Sequence, residues 1–323
     1  MIDPSGKILR HPGVLMRMRN GERIWPLNVE MDLSNRCNAK CRHCSFAHLH
    51  DGSLLPTALA CHILADLAEG GMQAVTLSGG GEPTTHPDFA VIAHAASAYG
   101  LAVGVYSNGL SAIPLVGAMD ALAWVYVSLD ALDDADYRQI KRVSGFWQVV
   151  DTIGHLVTLR QGSVPTVGVG FLLNSGNWRD AAGMAALADG LGADYAHFRP
   201  IVGLPDYAWV TDALPTLDAL VSDSVYVSHG RFVELRDGTP RGYTVCRASE
   251  LVPCIGATGT VWVCPNTRGL RRLGNLHEES FAAIWARRPE QVVGLDCRVA
   301  CRNHALNGTL EYVCGGGPHD AFV

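Results

Sequence analysis

The sequence predicts an α/β protein: six β/α units around a parallel sheet, followed by a smaller cysteine-rich C-terminal region. Three observations carry this. Short apolar runs alternate with stretches of helical apolar spacing from about residue 27 to 201. After about residue 205 the alternation stops and turn residues rise. Six of the ten cysteines then fall between 246 and 314. A chain of 323 residues has room for about two domains. A boundary at 203–212 leaves an arm at 1–25, a first domain at 26–205 and a second at 206–323.

Residues 1–25 read as an arm or irregular lead-in. LNVEMDL (27–33) reads as the first strand, and TALACHILADLAEGG (57–71) as a helix stopped by Gly-Gly. QAVTLS (73–78) is a strand, DFAVIAHAASAYG (88–100) a helix and LAVGVYS (101–107) a strand. AWVYVSLD (123–130), rich in β-branched and aromatic residues, is the fourth strand. A helix at 146–160, the strand TVGVGFLLN (166–174), a helix at 179–192 and the strand DYAHFRPI (194–201) complete the six units. Right-handed crossovers make such a sheet parallel, and parallel sheets bind ligands at the carboxyl ends of their strands.

Hydrophobic residues at 48% and charged residues at 17% exclude a disordered chain. A net charge of −6 argues against a broad basic face for duplex nucleic acid. A local cluster, Arg268, Arg271 and Arg272, keeps a nucleic-acid substrate open. No apolar run is long enough to span a membrane, and the N-terminus has no apolar signal core. The expected location is therefore the cytoplasm. There, ten cysteines point to metal or redox chemistry rather than to disulfides.

Cys37-Asn-Ala-Lys-Cys41-Arg-His-Cys44 directly follows the first strand. Three thiolates in so short a span can wrap one face of a 4Fe–4S cube and leave its fourth iron open. A zinc knuckle completed by His43 or His48 is the alternative. This C-x3-C-x2-C run resembles the signature of the radical S-adenosylmethionine (SAM) superfamily. Ser78-Gly79-Gly80-Gly81-Glu82-Pro83 ends the second strand and looks like that family's GGE motif. Ser107-Asn108-Gly109, Ser128 with Asp130, and Asn174 end the next three strands in order. Each alone is a common loop or cap residue.

The resemblance implies a partial (β/α)6 TIM-like barrel. It implies a 4Fe–4S cluster on Cys37, Cys41 and Cys44, with SAM chelated at the open iron. The SAM ammonium would be received by the backbone of Gly79, Gly80 and Gly81 and by Glu82. The ribose or carboxylate would lie near Ser107, Asn108, Ser128, Asp130 and Asn174. One electron, from a flavodoxin- or ferredoxin-type donor, would cleave SAM to a 5′-deoxyadenosyl radical that takes a hydrogen atom from substrate. His43 stands where the family usually has an aromatic residue, so packing is expected of it.

Cys246-x12-Gly259-x4-Cys264 is followed by Cys297-x3-Cys301. Four thiolates in two pairs can ligate a second cube or a zinc ion. The segment resembles the twitch domain, the short form of the SPASM domain of radical SAM enzymes, and implies one auxiliary 4Fe–4S cluster. The last pair departs from the family's C-x2-C, which leaves Cys297 less secure than Cys301. Gly274-Asn275-Leu276 reads as a turn, and Ser280–Arg287 as a helix with Phe281, Ile284 and Trp285 on its core face. Cys61 reads as inert core. Cys254 and Cys314 have three readings: plain thiol, substitute cluster ligand, or hydrogen-atom donor to a substrate radical.

A fully ligated auxiliary cluster can only accept or relay an electron. The expected reaction is thus oxidation of a small polar substrate such as a sugar, aminocyclitol or nucleotide. Epimerisation or rearrangement with Cys254 or Cys314 as donor, modification of a ribosomal peptide or a nucleic-acid base, and a non-enzymatic electron carrier are the alternatives. Arg199, ending the sixth strand, is expected either to hold a substrate anion or to close the barrel by a salt bridge. Tyr106 and Glu30 are further substrate candidates.

Overall fold

A computed structural model describes residues 4–238, 241–290, 293, 297 and 299–315. One ten-stranded sheet runs through the molecule. Its strands are β1 (Asn28–Asp32), β2 (Ala74–Ser78), β3 (Ala102–Ser107), β4 (Leu122–Ser128), β5 (Thr166–Leu173), β6 (Tyr195–Pro200), β7 (Val225–Val227), β8 (Cys254–Ile255), β9 (Thr260–Trp262) and β10 (Arg272–Asn275). The order is β10-β9-β8-β1-β2-β3-β4-β5-β6-β7. β1 to β7 pair in parallel, each with the next. The six expected strands and the four expected helices are present within a few residues of their predicted ends.

Strand side chains alternate between two faces. Val29, Met31, Val75, Leu77, Val103, Val105, Val125 and Val127 point outward and share one buried cluster with Ile63, Leu64 and Leu67 of the helix Thr57–Glu69 and with Ile92 of Phe89–Ala98. The other face turns inward. There, glycines on one strand admit aromatic rings from the next. A Cβ at Gly104 would lie 2.0 Å from the Trp124 ring, one at Gly168 2.2 Å from Tyr195, and one at Gly170 1.8 Å from the Tyr126 hydroxyl. Tyr106 meets Trp124 and Tyr126 edge-on at 5.0 and 5.1 Å between ring centres, an arrangement that aromatic quadrupoles favour.

Three expectations need correction. The alternation does not stop near residue 205. A helix Trp209–Leu220, the short β7 and a helix His229–Asp237 add a seventh unit; β7 is too short, at three residues, to give a period-two signal. The N-terminal segment is not irregular. A 3-10 helix Pro4–Arg10 and an α-helix Pro12–Arg19 pack Ile8, Leu15 and Met18 against Ala248, Leu251 and Leu310. Their partners, among them the helix His304–Gly315, lie nearly the whole chain away, so no local pattern announces them. Gly274 and Asn275 belong to β10, not to a turn. The helix Phe281–Ala286 does bury Phe281, Ile284 and Trp285, and is capped by Ser280, whose hydroxyl accepts from the Ala283 N–H at 3.2 Å. Among the described residues no helix is long and apolar enough to cross a membrane.

Candidate active site

The cysteine loop is fixed from two sides. On one, the N–H groups of Gly81 and Glu82 donate to the carbonyls of Ser34 (2.9 Å) and Arg36 (2.7 Å). On the other, Lys40 and Arg42 donate to the carbonyls of Lys141 (3.0 Å) and Ile140 (2.8 Å), at the C-terminus of the helix Asp134–Lys141. These are carbonyls that a helix end leaves without a partner of its own. The glycine run has a steric task here. A Cβ on Gly81 would stand 2.0 Å from the Arg36 carbonyl oxygen, and one on Gly80 2.3 Å from the Asn35 Oδ1. Only glycine admits the loop this close.

Glu82 is a brace. The hydroxyls of Ser107 and Thr84 each donate to its Oε1 at 2.7 Å, and the Asn108 N–H donates to its Oε2 at 2.7 Å. Burial pushes its carboxyl up, and these donors work in the opposite direction. With both oxygens engaged by the chain, Glu82 ties the end of β2 to the end of β3, and it stands outside the cavity lining. Asn108 extends the brace, its Nδ2 donating to Asn38 Oδ1 at 2.7 Å within the cysteine loop.

Above the strand ends lies a cavity of about 350 Å³. Cys41, Cys44 and His43 reach it from the loop, and Gly79, Gly81, Tyr106, Ser107, Ser128 and Arg199 from the strands. Asp130 also faces it, with a left-handed φ of 64°. Its Oδ1 accepts the Leu172 N–H at 2.7 Å, and its Oδ2 accepts from Ser128 at 2.6 Å and from the buried ammonium of Lys141. Burial pushes the Asp130 carboxyl up; Lys141, with the Ser128 and Leu172 donors, outweighs this and holds it below the ordinary carboxylate value. Asp130 is thus spoken for, and Lys141 is the ionic group beside Ser128. Asn174 stands outside the cavity lining; its side chain closes a turn, accepting from the Gly176 N–H at 2.7 Å.

The second part of the chain reaches into the same cavity. Arg268 is buried against β1 and β2. Its Nε donates to Asp32 Oδ2, and one terminal nitrogen to Glu30 Oε2, all at 2.8 Å, with Ser78 Oγ at 2.9 Å. Arg268 is therefore no part of a nucleic-acid-facing patch; Arg272, by contrast, is exposed and pairs with Glu278. Glu30 also accepts from Arg302, so it anchors arginines rather than substrate. Cys254 lies in β8 opposite Glu30, fully buried, with its Sγ 4.0 Å from Asp32 Oδ2. It does not line the cavity, which removes it as a hydrogen-atom donor. Cys314 packs in the cluster under the N-terminal helices, also away from the cavity, and Cys61 packs against the main core. Arg199 makes no salt bridge that closes the barrel among the described residues: its guanidinium lies over the Tyr126 ring at 4.8 Å, and its buried Nε has no partner.

Cys246, Cys264, Cys297 and Cys301 come together. Burial pushes the Cys246 thiol up to about 11, and the charges of Cys264, Cys301 and Cys297 add to the shift. Asn266 Nδ2 donates to Cys301 Sγ at 3.1 Å. Burial likewise pushes Cys37 up to about 11, with Cys41 and Cys44 contributing. Among the described residues no three His, Cys, Asp or Glu side chains converge on a single metal ion. Thiolates that each take a different iron of a cube are not required to converge in this way.

Residues 31–187 match the model of the radical SAM superfamily. This segment is a radical SAM domain. The chain is 27% identical over 281 residues to the mycofactocin maturase MftC of Mycobacterium ulcerans, covering 82% of this chain and 75% of that protein. It is 27% identical over 148 residues to an S-adenosylmethionine-dependent nucleotide dehydratase of Selenomonas ruminantium; that match spans 43% of this chain and about half, 53%, of the relative. Its fold is similar to that of Streptococcus suis SuiB solved with S-adenosylmethionine, with a TM-score of 0.66 and 15% identity over 90% of this chain and 72% of that one. The partial barrel of a radical SAM domain, followed by a cysteine-rich C-terminal part, is thus the architecture of this chain.

Sequence reasoning missed Lys141, Tyr126, Arg231 and Arg302, all of which line the cavity of the radical SAM domain and its neighbour. Tyr126 was within reach, since it shares a face of β4 with Ser128. Lys141 is one of three lysines in the chain, a rarity that alone gives no location. Arg231 and Arg302 carried no signal.

Proposed function

We propose that the chain is a radical SAM oxidoreductase acting on a small polar substrate. Cys37, Cys41 and Cys44 would hold one 4Fe–4S cluster, and Cys246, Cys264, Cys297 and Cys301 a second. With SAM bound, these groups supply reductive cleavage, hydrogen-atom abstraction and an acceptor for the electron left on the substrate. The backbone of Gly79 and Gly81 and the hydroxyls of Ser107 and Ser128 would hold SAM. Tyr106 and Tyr126 narrow the cavity and limit water. The observation that carries the reading is the cavity wall itself. Pro265 and Asn266, next after Cys264, line it, and so do Ala300 and Arg302, on either side of Cys301. An acceptor held there would stand at the substrate.

The test is anaerobic reconstitution of the full chain with iron and sulfide. About eight irons per chain are expected, with release of 5′-deoxyadenosine from SAM and dithionite. Four irons would remove the auxiliary cluster; no 5′-deoxyadenosine would favour an electron carrier. A peptide substrate is the second reading. The maturase match covers 82% of the chain against 43% for the dehydratase match, and SuiB has been solved with its precursor peptide. Deuterium appearing in 5′-deoxyadenosine from a labelled peptide, and not from labelled sugars or nucleotides, would decide for it.

A further inference from the structure

We propose that Arg199 and Arg231 form the seat of an anionic group, a phosphate or a carboxylate, carried by the substrate. This rests on the radical SAM reading and adds the charge class of the substrate.

The cavity wall holds five basic side chains, Lys141, Arg199, Arg231, Arg268 and Arg302, but only two carboxylates, Glu30 and Asp130. Both carboxylates are committed. Glu30 takes Arg268 and Arg302, and Asp130 takes Lys141. Arg268 has Asp32 as well. Among the described residues no carboxylate remains for Arg199 or Arg231. Arg231 donates, among the described residues, only its Nε, to the Ala300 carbonyl at 2.9 Å. Arg199 has a buried Nε with no acceptor. Two guanidinium groups that share a partly dry cavity also repel each other.

An arginine remains charged at physiological pH, so its cost cannot be relieved by losing a proton. Such a charge is tolerated where a partner supplies the opposite one. The planar fork of Arg199, steadied over the Tyr126 ring, presents adjacent donors that suit two oxygens of one phosphate or carboxylate. The pair belongs to the far side of the sheet from the cysteine loop. Arg199 ends β6 and Arg231 lies in the helix after β7, whereas the loop follows β1. Both arginines line the same cavity as Cys41 and Cys44, so competition with SAM is what separates the substrate from SAM's own carboxylate as the source of the anion.

The test is a titration of inorganic phosphate, and separately of acetate, into the full chain by calorimetry, with and without saturating SAM. Saturable binding of at least one anion is expected, and it should persist with SAM present. Arg199→Gln and Arg231→Gln should each weaken it about tenfold or more, and Arg199→Lys by less than Arg199→Gln. Arg272→Gln, at an exposed site, should match the wild type. Far-UV dichroism of each variant checks folding, and if one glutamine variant is unfolded the other and Arg199→Lys decide. Binding of neither anion, or equal binding in the glutamine variants, overturns the proposal. Displacement of the anion by SAM overturns it in favour of the SAM carboxylate. Failure of the wild type to cleave SAM is a separate result, which would sink the radical SAM reading and not the anion seat.

Discussion

The two groups of cysteines are held by different forces. The loop Cys37–Cys44 is fixed by backbone hydrogen bonds on both sides, from the glycine run after β2 and to the end of the helix Asp134–Lys141. The C-terminal group is joined to the barrel through the β8–β1 pairing and through buried charge. Arg268, four residues after Cys264, reaches Glu30 and Asp32, and Arg302, next to Cys301, reaches Glu30. Backbone bonds need no particular side chain, so apart from the Asn108–Asn38 contact and the required glycines the placement of the first loop does not rest on side chains. A charge anchor depends on each partner, because removing one leaves the other buried and unpaired. The first site is therefore a built-in part of the barrel, and the second is docked onto it.

The comparison is broken most completely by Cys41→Ala. SAM cleavage should fall below detection while iron drops from about eight to about four per chain; Cys264→Ala should lose iron to the same extent and keep the cleavage. Retained cleavage in Cys41→Ala contradicts the assignment of the first site. Next in size is Arg268→Met, which strands Asp32 and leaves Glu30 to Arg302 alone. It should cost about 3–5 kcal/mol in denaturant unfolding, and a loss under about 1 kcal/mol would show that charge does not hold the second part in place. Gly81→Ala tests the steric claim. A methyl 2.0 Å from the Arg36 carbonyl should shift the cysteine loop and lower SAM cleavage about a hundredfold, with the second cluster's iron unchanged.

The smallest effect concerns Asp130. Its carboxyl lies below the ordinary value in the folded chain because Lys141, together with the Ser128 and Leu172 donors, outweighs burial. A lowered folded-state value stabilises above the unfolded value, near pH 4, and that contribution is lost as pH falls through the folded one. Acid unfolding followed by circular dichroism should therefore show a limb below about pH 4. In Lys141→Met, burial is opposed only by the hydrogen bonds from Ser128 and Leu172, and the limb should move up by about 1–3 pH units. An unmoved limb would remove Lys141 from that role.

The barrel strands were readable because each is long enough to show an apolar run and is followed by a helical stretch. The cysteine spacing and the glycine run were readable as motifs, and the structure sets them against each other. The roles within the site were less legible. Glu82 and Asp130 are acidic residues at strand ends, which is all that spacing reports; that their oxygens are taken by Ser107, Asn108, Leu172 and Lys141 depends on contacts between strands. Cys254 had three readings in the sequence, among them a hydrogen-atom donor, and only the structure shows that it is buried in β8 beside β1. The N-terminal helices were missed since their apolar partners come from the C-terminal end.

Local order in the chain determined the alternating strands and helices, the cysteine spacings and the glycine run, because periodicity and short motifs are properties of neighbouring residues. Which charges pair, and which two arginines are left facing the cavity, was decided only in three dimensions. Glu30 meets Arg268 and Arg302 from more than two hundred residues away, and electrostatic partners are chosen by distance in space, to which spacing along the chain is blind.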